Sequence, residues 1–183
     1  VAEGDRLRVP PVRVSETPPT VVPQRRAAAA MPPILFEDEH LLALDKPAGL
    51  AVHGGSGVSL GAIEMIRAAR PEATFLELVH RLDRETSGVL LIAKRRPAPV
   101  EMHRLLRESD RIEKRYRALV KGRVRWEKRR VELGLAKFTT KEGERRVSVR
   151  DDGRESITLF EREERFAEAS LVTARIYTGR THQ

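Results

Sequence analysis

The stretch His80-Arg81-Leu82-Asp83-Arg84-Glu85-Thr86-Ser87-Gly88-Val89-Leu90-Leu91 sets a carboxylate between two arginines and follows it with a Thr-Ser-Gly turn and an apolar run. Leu76 to Leu82 before it and Val89 to Ala93 after it read as strands, the second so uniformly apolar that burial on both faces is expected. Asp83 to Gly88 then connects two strands. A polar side chain at such a strand end is placed by a rigid scaffold and stays reachable, which is where binding and catalytic residues concentrate.

Upstream, Ile34-Leu35-Phe36 and Leu41-Leu42-Ala43-Leu44 flank the acidic turn Glu37-Asp38-Glu39, the pattern of a hairpin. His53-Gly54-Gly55-Ser56-Gly57 reads as a flexible loop. Ser59 is placed to cap a helix running to about Arg70, with Ile63, Ile66 and Arg67 at helical spacing and Pro71 as its stop. Downstream, Pro97 to Glu108 carries Val100, Met102, Leu105 and Leu106 in a charged background, a surface helix packed along one side. Alternating runs follow at Tyr116 to Val120, Arg130 to Leu135, Arg145 to Val149, Ser156 to Phe160 and Ala169 to Tyr177, with turns such as Lys141-Glu142-Gly143 and Asp152-Gly153 between them. Many strands with two helices in this order predict an α+β domain on a mixed, mainly antiparallel sheet with flanking helices.

That domain is expected over residues 34–183. Residues 1–33 hold seven of the eleven prolines and an Ala27 to Ala30 run; residues 15–33 read as an extended Pro/Ala-rich linker. Before it, residues 1–14 include Gly4-Asp5-Arg6-Leu7-Arg8-Val9-Pro10, an alternating segment like the closing strand of another domain.

Composition bounds the chemistry. At 183 residues, the chain is long enough for one sizeable core. Having no cysteine, it cannot use disulfides, thiolate metal sites or a cysteine nucleophile. Apolar stretches such as Gly88 to Ala93 fall far short of the roughly 20 residues of a membrane span, so no membrane partner is expected, and a reducing cytoplasm fits. The net charge is +8, and it is uneven: Lys94 to Arg150 holds 20 Lys or Arg against 8 Asp or Glu, whereas the remainder holds 15 against 19. Such segregation suits either a solvated basic face or a polyanion footprint. With one Trp, two Tyr and five Phe, most affinity for RNA would come from phosphates rather than from a stacking platform.

Two guanidinium groups beside Asp83 favour its charged form, and a positioned, charged carboxylate can act as nucleophile or base. An aspartate that caps a turn and pairs with surface arginines fits the same residues. His53 and its glycines lack the spacing of a phosphate-binding loop. His80, His103 and His182 do not form a metal-ligand pattern, and no metal is assigned.

The string HRLDRETSGVLL closely resembles the motif around the catalytic aspartate of the RluA-type pseudouridine synthases. ILFEDEHLLALDKPAGLAVHGGSG resembles that family's opening hairpin and loop, KRYRALVKG its tyrosine strand, and TGRTHQ the start of its last motif, so the resemblance covers roughly residues 34 to 183. It implies the pseudouridine synthase fold and an isomerase that detaches uracil from carbon 1 of ribose, rotates it and reattaches it through carbon 5, without any cofactor. Asp83 then corresponds to the aspartate that attacks or deprotonates the ribose. Tyr116 corresponds to the active-site tyrosine that packs on the base and is implicated in removing the carbon 5 proton, although a tyrosine in a strand also suits a core. Arg81 matches the arginine associated with flipping the target nucleotide, with a salt bridge to Asp83 as its structural alternative. Arg84, His53 and Arg180 are the further RNA-contact candidates.

The HGGSG loop and the FLELVHRLDR wording most resemble family members acting on large-subunit (23S) ribosomal RNA, which is the partner expected, for a monomer. In the family the last motif continues to an arginine two residues past its THQ, which pairs with the aspartate; Arg180 is not that residue. GDRLRVPPV resembles the end of an alpha-L type RNA-binding domain. The chain is therefore expected to be an internal stretch of a longer synthase, incomplete at its C-terminus and inactive alone. A noncatalytic RNA-binding module is the competing reading, and a metal-dependent nucleic-acid hydrolase a third.

Overall fold

The computed structural model describes residues 31–54, 60–108, 111–140 and 145–183. The N-terminal remnant expected at 1–14, most of the stretch 15–33, and Gly55, Ser56, Gly57 and Ser59 of the loop lie outside the described residues.

The acidic turn makes the expected hairpin. Strands β1 (Ile34–Glu37) and β2 (Leu41–Lys46) pair antiparallel, and the Asp38 Oδ1 closes the turn by accepting the backbone N–H groups of His40 and Leu41, each at 2.7 Å. Strand β4 (Gly88–Ala93) lies along the other side of β2, and the two-residue β3 (Glu77–Leu78) caps it, in the order β1-β2-β4-β3. Because strand side chains alternate between faces, Leu42 and Leu44 fall in one row and Leu90 and Ile92 in the next; all four are fully buried. Helix α1 (Ala62–Ala69) lays Ile63 and Ile66 on them. Burying such aliphatic side chains contributes about 1.5–3 kcal/mol each.

Several expectations change here. The strand foreseen over Leu76 to Leu82 contracts to β3 because the ladder is interrupted: Val79 donates to the Leu91 carbonyl, but the Leu91 N–H then goes to the His80 ring, Nε2 accepting at 3.1 Å. β4 is not covered on both faces, since Val89 is exposed. The helix begins after Gly61 rather than at Ser59. Met31 packs against the core and the Pro33 carbonyl accepts the Asp45 N–H, so the folded body takes in the last residues of the stretch 15–33.

The first half is tied together by Glu37, whose carboxylate takes the Arg70 guanidinium from the end of α1 (Nη2 to Oε2, 2.7 Å) and the Lys94 ammonium beyond β4 (2.6 Å). Those hydrogen bonds hold its pKa down at about 2. Helix α2 (Pro97–Arg107) follows. Its inward stripe is Pro99 with the half-buried Met102 and Leu106, so Val100, expected to pack, is instead 73% exposed.

The second half is a separate sheet in the order β5-β9-β8-β6-β7, built from β5 (Lys114–Lys121), β6 (Lys128–Thr139), β7 (Arg145–Val149), β8 (Arg154–Arg165) and β9 (Ala169–Ile176). The single sheet expected is thus two, and every ladder among the described residues is antiparallel. β6 and β8 run past their apolar centres because charged partners face each other across the ladder, as in Lys128 with Glu161 at 2.6 Å. Such pairs also neutralise much of the basic segment: Arg117 meets Glu163, and Arg115 and Arg175 share Glu113. Among the described residues, no helix is long and apolar enough to cross a membrane.

Candidate active site

The two sheets meet at Asp83. Leu82 is buried and anchors the connection, and the Asp83 carbonyl accepts the Thr86 N–H at 3.1 Å, which folds the Arg84-Glu85 tip back toward β4. The Asp83 side chain remains 39% exposed.

Behind the loop lies Lys46, at the end of β2 and 0% exposed. Its ammonium donates to three carbonyls, Pro47 at 2.9 Å, Leu50 at 2.7 Å and Arg84 at 3.0 Å. Burial depresses the Lys46 pKa, opposed by the negative charges of Glu85 and Asp83. One amine therefore fastens the loop after β2 to the Asp83 loop. Arg84 completes the clasp: its backbone carbonyl accepts the Gly49 N–H at 2.9 Å and its Nε donates to the Gly49 carbonyl at 3.0 Å. Gly49 adopts φ +83°, which L side chains rarely tolerate.

From the other sheet, β5 brings Tyr116, opposite Ala174 on β9. Its ring is half-buried against the core cluster. Burial first, and the negative charge of Asp83 second, push its hydroxyl pKa upward, so the phenol keeps its proton at neutral pH. After β9 the chain turns through Tyr177 to Gln183, and the Gln183 amide pins that turn: Oε1 accepts from Thr178 Oγ1 (2.8 Å) and the Arg180 N–H (3.0 Å), while Nε2 donates to the Ile157 carbonyl (3.1 Å) and Thr158 Oγ1 (3.0 Å). His182, in the left-handed region at φ 55°, thereby reaches Asp83, Nδ1 to Oδ2 at 2.8 Å.

The residues singled out in sequence divide accordingly. Asp83 and Tyr116 come together. Arg81 is exposed, and among the described residues it makes no ion pair with Asp83; nor does Arg84, whose guanidinium faces Gly49 and, at 3.6 Å, Glu85. The basic flank expected around the carboxylate is therefore replaced by one imidazole. Arg180 turns its Nε to the Glu155 carbonyl at 2.9 Å, away from Asp83. His53 sits exposed on the loop before α1, where a Cβ on Gly61 would come within 2.4 Å of the His53 Cα. Glu64 Oε2 holds that loop by accepting the Gly54 and Gly61 N–H groups, both at 2.9 Å.

Sequence reasoning missed Lys46 and His182. Lys46 had a signal, since it continues the inward row Leu42, Leu44 at period two. His182 had one only through the TGRTHQ motif that contains it, since nothing local predicts its contact with a residue 99 positions away.

A family model described as RNA pseudouridylate synthase matches residues 40–183. The chain belongs to that family. Among similar pseudouridine synthases, ribosomal large subunit pseudouridine synthase C of Escherichia coli strain K12 is 52% identical over 182 residues, covering 98% of this chain and 57% of that protein. The protein of the same name from Yersinia pestis is 52% identical over 185 residues, covering 100% and 58%, and that from Haemophilus influenzae 50% identical over 182 residues, covering 98% and 56%. The chain thus spans little more than half the length of these curated relatives. In fold, the pseudouridine synthase structure Human RNA Pseudouridylate Synthase Domain Containing 4 superposes with a TM-score of 0.68 at 23% identity, over 86% of this chain and 63% of that one. The RluA-type resemblance of the sequence and the α+β class agree with these matches.

Proposed function

We propose that this domain isomerises uridine to pseudouridine in large-subunit (23S) ribosomal RNA, as a cytoplasmic monomer, with Asp83 as its essential carboxylate. The observation that carries the reading is the pairing of a half-exposed carboxylate with a half-buried, protonated tyrosine at the junction of two sheets, in a chain of this family.

A uridine inside a helix cannot reach such a carboxylate, so the nucleotide must leave its stack. Arg81, exposed beside the loop and without an ion pair among the described residues, is the cation available to occupy the vacated place. Asp83 then attacks carbon 1 of the ribose or removes a proton from carbon 2; either way the bond from carbon 1 to nitrogen 1 breaks and uracil carries away the electron pair. After rotation, carbon 5 bonds to carbon 1 while the Asp83–carbon 1 ester bond breaks or, in the deprotonation route, while Asp83 returns its proton to carbon 2; the carbon 5 proton then leaves and nitrogen 1 ends protonated, so atoms balance without a co-reactant. In this reading Tyr116 holds the base and relays the carbon 5 proton. Lys46 and the Arg84–Gly49 clasp keep the loop from shifting, which matters because small misplacements in a near-attack geometry cost large factors in rate. His182 Nδ1 steadies Asp83 through Oδ2, and Oδ1 is left to engage the sugar.

The test is to map pseudouridine across ribosomal RNA from cells with and without the gene. Loss of one or more large-subunit sites, restored by the wild-type gene, is the expected result. An unchanged large-subunit map would overturn the reading.

A further inference from the structure

One side chain diverts the strand that leads to Asp83. β3 pairs with β4 through Glu77 opposite Ala93 and Leu78 opposite Ile92, and the ladder then continues on one side only, the Val79 N–H donating to the Leu91 carbonyl at 3.1 Å. In a hydrogen-bonded antiparallel pair, Leu91 would return its own N–H to the Val79 carbonyl. It goes instead to His80 Nε2, at 3.1 Å. The other ring nitrogen donates to the Arg81 backbone. A ring that accepts at Nε2 and donates at its other nitrogen is the neutral tautomer with its proton on Nδ1, and it is tied at both ends.

The consequences lie in the next three residues. Having left the sheet at His80, the chain exposes Arg81, buries Leu82 and presents Asp83 beyond it. From the other sheet, the charge that bears on the ring is that of Lys114, the first residue of β5. Its half-buried ammonium donates to the Leu106 carbonyl in the last turn of α2 at 3.0 Å. Tyr116 stands two residues further along β5, on the same face as Lys114. The His80 ring thus sits where β4, the Asp83 loop and the strand of Tyr116 converge.

We propose that His80 is a positioning residue for the isomerisation, its neutral ring setting where the chain leaves β4 and so fixing Arg81 and Asp83 relative to Tyr116. Protonation would undo this. An imidazolium carries N–H on both nitrogens, so Nε2 would meet the Leu91 N–H donor to donor, and the new charge would stand against the Lys114 ammonium. Burial keeps the ring neutral, with the bond to the Arg81 backbone acting against it and Lys114 acting with it. The inference rests on the reading of Asp83 as the essential carboxylate and adds the residue that aims it.

The test is single-turnover pseudouridine formation by the gene's full product on a large-subunit ribosomal RNA transcript, with RNA affinity measured alongside. His80→Leu fills the space and loses both ties; its saturating rate at pH 7.5 should fall about tenfold or more with affinity within about threefold of wild type, because small misplacements of reacting groups carry large factors in rate. His80→Gln, whose amide can accept from Leu91 and donate to the Arg81 backbone, should recover most of that rate. It takes up no proton, so the decline in rate from pH 7.5 to about pH 5 should be distinctly smaller in His80→Gln than in wild type. Lys114→Gln, which removes the like charge and keeps a donor for the Leu106 carbonyl, should shift the decline to higher pH. A folded His80→Leu with the wild-type rate, or the same decline in His80→Gln as in wild type, would overturn the proposal and leave the role of Asp83 intact. The pH comparison decides the matter where His80→Leu does not fold. Absence of pseudouridine with wild type would overturn the functional reading and this inference with it.

Discussion

His182 Nδ1 stands 2.8 Å from Asp83 Oδ2 and joins the two sheets at the point where chemistry is proposed. Both side chains are more than a third exposed, so the contact adds less than about 1 kcal/mol to stability. Its value is positional. His182→Ala should leave the urea midpoint nearly unchanged while lowering kcat by about tenfold or more, and His182→Asn, whose amide can donate at a similar place, should recover part of it. A large loss of stability with unchanged kcat in the folded fraction would make His182 structural only.

Lys46 is the opposite case, a buried cation satisfied by carbonyls alone. Lys46→Met fills the volume but leaves the Pro47, Leu50 and Arg84 carbonyls short of a donor, and each unsatisfied buried group costs about 1–3 kcal/mol. Urea unfolding should show a loss on the order of 3 kcal/mol. A variant as stable as wild type would mean that water replaces the amine at no cost.

How much of this was legible beforehand depends on range. The acidic hairpin, the Ile63–Ile66 face of α1 and the five strands of the second sheet announce themselves locally, because periodicity and turn residues act over a few positions. Asp83 and Tyr116 were visible through the motifs that carry them. What could not be read was pairing at distance. Arg81 and Arg84 neighbour Asp83 in sequence but point elsewhere, while the imidazole that reaches it comes from the far end of the chain. The segregated charge of Lys94 to Arg150 is likewise plain in the sequence, but the glutamates of β8 that meet it, Glu161 and Glu163, are not.

His80 gives a pH signature. Burial holds its pKa below the ordinary 6.5, with a hydrogen bond that the ring donates to the Arg81 backbone opposing the depression and Lys114 adding to it. The unfolded chain therefore takes up the proton first as pH falls, so the stability due to neutral His80 is present above about pH 6.5 and is lost progressively below it. The urea midpoint of wild type should drop between pH 7.5 and pH 5.5. His80→Gln, which can still accept the Leu91 N–H, should drop distinctly less. Equal drops would show that other groups carry the effect.

Tyr116→Phe separates packing from proton transfer. The ring keeps its place against the core, so the melting temperature and RNA affinity should hold, whereas removal of the hydroxyl should cost about 10²- to 10⁴-fold in turnover if it relays the carbon 5 proton. Retained turnover would restrict Tyr116 to holding the base.

The most direct test is Asp83→Asn, which keeps the shape of the side chain and an oxygen for His182 Nδ1 but removes the charge and the nucleophile. Pseudouridine in large-subunit ribosomal RNA should be mapped in cells whose gene encodes this variant, with RNA affinity of the purified protein measured in parallel. Affinity within about twofold of wild type together with complete loss of the modification, corresponding to the several kcal/mol that one essential nucleophile supplies, is the expected result. Normal modification by Asp83→Asn would contradict the assignment of Asp83 and the isomerase mechanism built on it.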